Sequence, residues 1–177
     1  EILRKLRDDA WDEKEYLHIT DYDSDCGEHF CAGEDNDWGW LGYFVGRNEQ
    51  IRVLDLSCLP EEEDEVDAFM EGLCRNHSIE RIGATHCEID FSSLSPFIVN
   101  NGNLKDLRLF DVDIFCAHSL AMALSQREHK SLTKFCLSGN NLSNEALEEI
   151  IAALSGYTQL VSLYVEENMS RRDQKYY

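Results

Sequence analysis

The chain has 177 residues, of which 43% are hydrophobic and 10% aromatic, enough apolar material to bury the core of one ordinary domain and too much for a disordered tail. Its 35 acidic and 16 basic residues give a formal net charge of −19, which repels phosphate backbones and anionic membrane surfaces. We therefore expect neither nucleic acid nor a membrane as a partner, and no apolar run approaches the roughly 18 residues that span a bilayer.

Residues 1–36 are predicted to form an acidic N-terminal cap and loop. Apolar residues within Ile2–Trp11 favour a short capping helix, and Tyr16–Ile19 favours an extra strand at the edge of a sheet, with alternate side chains pointing inward. The stretch Thr20–Asp37 is rich in Asp, Glu and Gly, so it is expected to be an exposed loop.

The seven cysteines are odd in number and scattered along the chain, which fits reduced thiols better than a disulfide framework and indicates the cytoplasm. The sequence DCGEHFC brings Cys26, His29 and Cys31 together, and these are ligand types that zinc prefers. Their spacing does not match a standard zinc knuckle. We therefore predict no cofactor. A metal- or cation-responsive module, built from this cluster or from the acidic loop, is kept as the alternative function.

Residues 37–169 contain about five units that share one pattern of apolar positions, the first, the fourth and the sixth. The first positions lie 28, 25, 28 and 28 residues apart. The three positions are Ile51, Leu54 and Leu56, then Ile79, Ile82 and Ala84, then Leu104, Leu107 and Leu109, then Leu132, Phe135 and Leu137, then Leu160, Leu163 and Val165. Because side chains alternate along a strand, the fourth and sixth residues of each unit are expected to point into a core.

The ninth position of each unit is expected to turn the chain. Asn140, Asn168 and Cys87 can hydrogen-bond the buried backbone of a neighbouring turn there, whereas Val112 and Leu59 cannot, so those two turns should be bonded differently.

A segment with helical spacing of apolar residues lies between successive strands. Ser143 is expected to cap the last of these helices. Asn48, Asn76 and Asn101 each stand three residues before a first position, where a left-handed helix C-cap is expected. The loop Gln126–Lys130 is expected to hold two extra residues.

The lead-in Trp38–Asn48 carries four large aromatic residues, Trp38, Trp40, Tyr43 and Phe44. Packing against the first unit is favoured for them over a recognition patch. The acidic run at 61–67 is interpreted as the solvated first turn of a helix, where the helix dipole favours carboxylates.

The pattern L-x-x-L-x-L-x-x-N/C-x-L with a helix in every unit resembles the leucine-rich repeats of the ribonuclease-inhibitor-like class over about residues 38–169. The stretch WGWLGYFVGRN and the repeat HKSLTKFCLSGNNL are similar to expanded leucine-rich repeat families of unicellular algae. The resemblance implies an α/β leucine-rich repeat solenoid, with parallel strands on a concave face, helices on a convex face, and protein binding as its usual work. Residues 170–177 are then a C-terminal tail or a truncated next repeat.

The third, fifth and seventh positions of each unit are expected to face outward on the concave side. Aromatic and arginine side chains dominate binding surfaces, so the predicted partner-binding residues are Arg81, Asp106, Arg108, Phe110, Lys134, Tyr164 and Glu166. The charges on this face balance, with Asp55 counted among them, so they favour no charge type in the partner. The alternative is that they are ordinary solvated residues whose charges pair across strands.

No phosphate-binding, dinucleotide-binding, zinc-protease or nucleophile-elbow motif occurs in the sequence. His118 is expected on a helix surface and Cys87 in a turn, so neither suggests a catalytic site. We expect the chain to be no enzyme, and to act as a scaffold or adaptor for another protein.

Overall fold

A computed structural model describes residues 2–10, 16–20, 30–31, 37–57, 59–60, 62–87, 89–112 and 117–168. From α2 onward, helices and strands alternate along these segments. The elements are α1 Ile2–Arg7, β1 Leu17–Thr20, β2 Phe30–Cys31, α2 Trp38–Arg47, β3 Val53–Ser57, α3 Glu63–Leu73, β4 Arg81–Thr85, α4 Phe91–Asn100, β5 Asp106–Phe110, α5 Ala117–Gln126, β6 Lys134–Cys136, α6 Asn144–Ala153 with a 3-10 turn Leu154–Gly156, and β7 Ser162–Tyr164.

All seven strands form one parallel sheet in the order β2-β1-β3-β4-β5-β6-β7. Equivalent positions of neighbouring repeats pair directly, so that one row across the sheet reads Val53, Arg81, Asp106, Lys134 and Ser162. The five strands therefore stack with the equivalent positions of the five predicted units side by side. The fold is an α/β leucine-rich repeat solenoid, and its outward sheet face is called the concave face below.

The core lies between the sheet and the helices. The fourth and sixth residues of the first four units are at most 2% exposed, among them Leu54, Phe135 and Leu137. Burying one such side chain contributes about 1.5–3 kcal/mol. In the fifth unit, on the last described strand, Leu163 is 40% exposed because no described strand or helix lies beyond it.

Side-chain amides at the ninth position bond the turns of successive repeats. The Asn140 amide donates to the carbonyl of Leu109 at 2.8 Å and accepts from the amide of Val112 at 2.7 Å. Asn168 repeats this pattern on the next turn, where its carbonyl oxygen accepts from the Asn140 amide at 3.0 Å. The turn at Val112 therefore obtains from its neighbour the bond that its own side chain cannot make.

The left-handed helix C-caps predicted at the three earlier asparagines are wrong. Asn48 and Asn101 have extended backbones, with φ of −72° and −82°. Asn76 has no positive φ either. Their buried side chains bond neighbouring loops instead: the Asn76 amide donates to the carbonyls of Val45 at 2.8 Å and of Asn48 at 2.9 Å.

In the repeat that follows Asn101, Arg127 makes the bonds that a buried asparagine makes in the earlier repeats. It lies seven residues before strand β6, whereas Asn101 lies five residues before β5, so the two extra loop residues are confirmed. Its buried guanidinium donates to the carbonyls of Ile98 at 2.5 Å and Leu104 at 3.3 Å.

Two glycines of the lead-in helix α2 allow it to touch α3 backbone to backbone. A Cβ on Gly46 would lie 2.0 Å from the Gly72 carbonyl oxygen, and one on Gly42 would lie 2.4 Å from the Phe69 oxygen. Trp38 is buried as expected, but Trp40 is 58% exposed. The prediction of core packing is therefore wrong for Trp40, because its position on the helix turns its side chain away from α3.

The N-terminal cap consists of α1 and two strands. A helix is present at Ile2–Arg7, within the stretch expected to form a capping helix, and Leu17 and Ile19 of β1 are buried. Strand β1 is not the edge, because β2 pairs beyond it within the stretch expected to be a loop. Residues 170–177 lie outside the described residues, and no described helix is long and apolar enough to cross a membrane.

Candidate functional site

Outward side chains of the concave face form rows across the sheet. The row at the fifth position reads Asp55, Gly83, Arg108, Cys136 and Tyr164, and Phe110 follows two residues after Arg108 on β5. Neighbouring strands lie about 4.8 Å apart, so each row presents side chains at a regular spacing.

A groove of about 440 Å³ lies on this face over β5, β6 and β7. It is lined by Asp106, Arg108, Phe110, Lys134, Phe135, Cys136, Ser138, Tyr164, Glu166 and Glu167. Six of the seven predicted partner-binding residues therefore meet at one site. The seventh, Arg81, lies on β4 and does not line the groove.

Arg108 is held within the groove by its own strand. Its Nε and Nη2 donate to the two carboxylate oxygens of Asp106 at 3.0 and 2.7 Å. The Asp106 hydrogen bonds raise the pKa of Arg108 above its ordinary value. This two-point pair neutralises both charges and turns the arginine toward the N-terminal end of β5.

Arg81 and Asp55 form a looser pair across β3 and β4, at 3.9 Å. A Cβ on Gly83 would lie 2.3 Å from an Asp55 carboxylate oxygen, so the glycine makes room for this side chain. Within the described chain, Arg81 Nε is buried with no hydrogen-bond partner. These contacts agree with the alternative expectation of cross-strand charge pairs for this part of the face.

Two aromatic rings remain available in the groove. Phe110 is 43% exposed and Tyr164 is 49% exposed, on strands either side of β6. Strand β6 contributes the small side chain of Cys136 between them, and the turn after it contributes Ser138. Sequence reasoning missed Glu167, which lines the groove from a left-handed turn position with φ of 58°. Its only sequence signal is that it follows Glu166.

A second, more polar depression of about 740 Å³ lies at the loops that lead into the strands. Its cations already have partners: Arg52 donates to the carbonyl of Glu49 at 2.7 Å, Arg75 pairs with Glu71 at 3.4 Å, and Arg47 donates to the Tyr43 hydroxyl at 3.0 Å. We therefore regard the concave groove as the better candidate.

Among the described residues, no group of three or more His, Cys, Asp or Glu side chains could hold a metal ion. Cys26 and His29 lie outside these residues, and for Cys31 only the backbone is described. His118 lies on the surface of α5 beside Glu149, as expected, with 2.5 Å between Nδ1 and the carboxylate.

No protein-family model matches the sequence, and no curated protein matches it. Among solved structures, the chain is similar to the protein described as "Leiomodin-1 Actin-Binding Site 2 (ABS2)", with a TM-score of 0.57 and 15% identity. The match covers 98% of this chain and 90% of the other. At this identity the similarity concerns the fold, which both proteins share as a leucine-rich repeat type.

Proposed function

We propose that the chain binds another protein through the groove on its concave face and acts as a scaffold or adaptor without catalysis. The observation that supports this most is the pair of half-exposed rings, Phe110 and Tyr164, lining one groove on a hydrogen-bonded sheet. Aromatic side chains supply much of the binding energy at protein interfaces. A sheet that is already ordered loses little conformational entropy when a partner docks.

The repeats are proposed to be of the ribonuclease-inhibitor-like class, since a helix follows each of the strands β3 to β6 and the period is 25 to 28 residues. The structural neighbour is described as an actin-binding site, so a fold of this type carries protein binding in another chain. That is an argument by analogy of fold and names no partner here.

The cytoplasm remains the proposed location, supported by the free thiols of Cys74, Cys87 and Cys136. The net charge of −19 supports a protein partner over nucleic acid or a membrane.

Site-specific photo-cross-linking tests the proposal. A photoreactive amino acid replaces Ser162 beside the groove in the full protein, and a matched probe replaces Glu148 on the convex helix α6. The expected result is a cross-linked protein from the concave probe that disappears in the Phe110→Ala/Tyr164→Ala variant, while that variant unfolds at the same temperature within about 2 °C. Cross-linking from the convex probe alone, or insensitivity to both ring deletions, would contradict a binding role for the concave face.

A further inference from the structure

The part of the groove between Phe110 and Tyr164 is a slot with defined walls and floor. These residues belong to β5 and β7, which are separated by β6 alone and lie about 10 Å apart. Phe110 lies two residues beyond Arg108, which is level with Tyr164, so the two backbones are about 12 Å apart along the diagonal. Cys136 of β6 and Ser138 of the following turn are small, so they form a low floor. The Phe110 ring leans toward Gly139, where a Cβ would lie 3.8 Å from its Cε2 atom.

The slot is negatively charged at the C-terminal end of the strands. Glu166 and Glu167 line this end and are exposed, and no described residue forms an ion pair with either carboxylate. Arg108 is neutralised by Asp106. Lys134 begins β6, two residues before Cys136, which places its backbone about 7 Å toward the other end of the strands. The even charge balance expected from the sequence therefore does not hold locally.

We propose that this slot receives an arginine side chain of the partner protein, with its aliphatic stem between the rings of Phe110 and Tyr164 and its guanidinium toward Glu166 and Glu167. A guanidinium stacks on aromatic faces and forms two-point bonds with carboxylates, so both features of the slot suit it. An acidic side chain is repelled at the same place. The acidic chain as a whole attracts a basic partner over longer distances.

This inference rests on the proposed function, because it names the chemistry that the concave groove recognises. It is tested with defined pentapeptides, acetyl-Gly-Gly-X-Gly-Gly-amide, in which X is arginine, citrulline, lysine or glutamate. Citrulline has nearly the shape of arginine without its charge. Binding is followed by NMR titration of the backbone amide signals of the full chain.

The arginine peptide is expected to shift the amide signals of Gly139, Tyr164 and Glu166 and to bind at least about tenfold more tightly than the citrulline peptide. The Tyr164→Ala variant should lose about fivefold in affinity, and Glu166→Gln/Glu167→Gln about tenfold. The matched control Glu63→Gln/Glu65→Gln removes two exposed carboxylates from α3, away from the groove, and should change affinity less than twofold.

Equal loss of affinity in the control and in Glu166→Gln/Glu167→Gln would overturn the proposal, because binding would then follow net charge alone. Arg171 and Arg172 follow these carboxylates in the sequence, so Arg171→Gln/Arg172→Gln should bind the arginine peptide equally well or more tightly. Tighter binding of the glutamate peptide at the same amides would also overturn the arginine assignment. The arginine assignment could fail while cross-linking from the probe at position 162 still required Phe110 and Tyr164. The proposed function would then stand.

Discussion

The Tyr157 hydroxyl donates to the carbonyl oxygen of Leu124 at 2.7 Å, one repeat earlier in the solenoid. Asn76 makes the equivalent bond to Val45 at 2.8 Å, and Arg127 makes it to Ile98. Three chemically different side chains thus donate to carbonyls in the last turns of the corresponding helices α2, α4 and α5. The Leu124 carbonyl also accepts from Lys130 Nζ at 2.8 Å. These side chains therefore help to satisfy buried carbonyls and tie each repeat to the one before it.

Tyr157 should make stability fall at alkaline pH. Burial raises the pKa of its phenol from 10.0 to about 12. Because the folded pKa is the higher one, the contribution is full below pH 10 and is lost as the pH rises toward 12. With partial solvent screening this amounts to about 1–2 kcal/mol. Urea unfolding at pH 8 and pH 11 measures it, and Tyr157→Phe should show a smaller difference between the two. An identical difference in both proteins would contradict the assignment.

Asn76→Ala should destabilise the chain by about 2–4 kcal/mol. The substitution removes the donor to Val45 and Asn48 and the acceptor of the Ser78 and Ile79 amides, in a buried place. Asn103→Ala is the matched control, because Asn103 is exposed and donates one bond to the carbonyl of His77. Its expected cost in chemical unfolding is below about 1 kcal/mol. Similar costs for both variants would contradict the role of buried asparagine.

Arg127→Met should cost about 2–4 kcal/mol in chemical unfolding, although it removes a buried cation. The guanidinium donates to the Ile98, Leu104 and His129 carbonyls. Leu104 also accepts from the Ser131 hydroxyl at 2.7 Å, so the main loss falls on Ile98 and His129. Burial lowers the pKa of Arg127, which shows that desolvation opposes its charge. Arg75→Met, on the exposed arginine after α3, should cost less than about 0.5 kcal/mol. A gain in stability from Arg127→Met would show that desolvation outweighs the lost bonds.

Gly46→Ala should lower stability by about 3 kcal/mol or more, because its methyl group would overlap the Gly72 carbonyl and force α2 from α3. The control is Gly156→Ala, where a Cβ meets only the end of the Lys130 side chain at 3.8 Å. Thermal unfolding should show a fall in midpoint for the first variant and a change within about 2 °C for the second. Equal midpoints would mean that the helices can separate without cost.

Periodicity predicts much of this fold because the inward positions repeat with the strands. Leu54, Leu107 and Phe135 could be placed in the core from their spacing alone, and the loop with two extra residues could be placed from a change in that spacing. The sequence did not predict the extended backbone of Asn48 or the buried place of Arg127. Both depend on carbonyls one repeat away, which local propensity does not include.

The candidate site was predictable in its residues and not in its internal pairing. Alternation along a strand places Arg108, Phe110 and Tyr164 outward. Whether Arg108 meets a partner or Asp106 depends on its rotamer. Its pairing with Asp106 leaves Glu166 and Glu167 as the carboxylates of the groove that have no ion pair with a described residue. The ring of Trp40 is a similar case, because helical spacing alone does not show which flank a neighbouring helix covers.

In each repeat, one set of side chains bonds the neighbouring repeats and another set faces outward on the sheet. This division has an evolutionary consequence. The side chains of Asn140 and Asn168 bond the turns of successive repeats. The side chains of Phe110 and Tyr164 line the groove and take no part in these bonds. Replacing an outward side chain therefore leaves the bonds that hold the solenoid intact. A chain built this way can change what it recognises one residue at a time while its stability stays nearly constant.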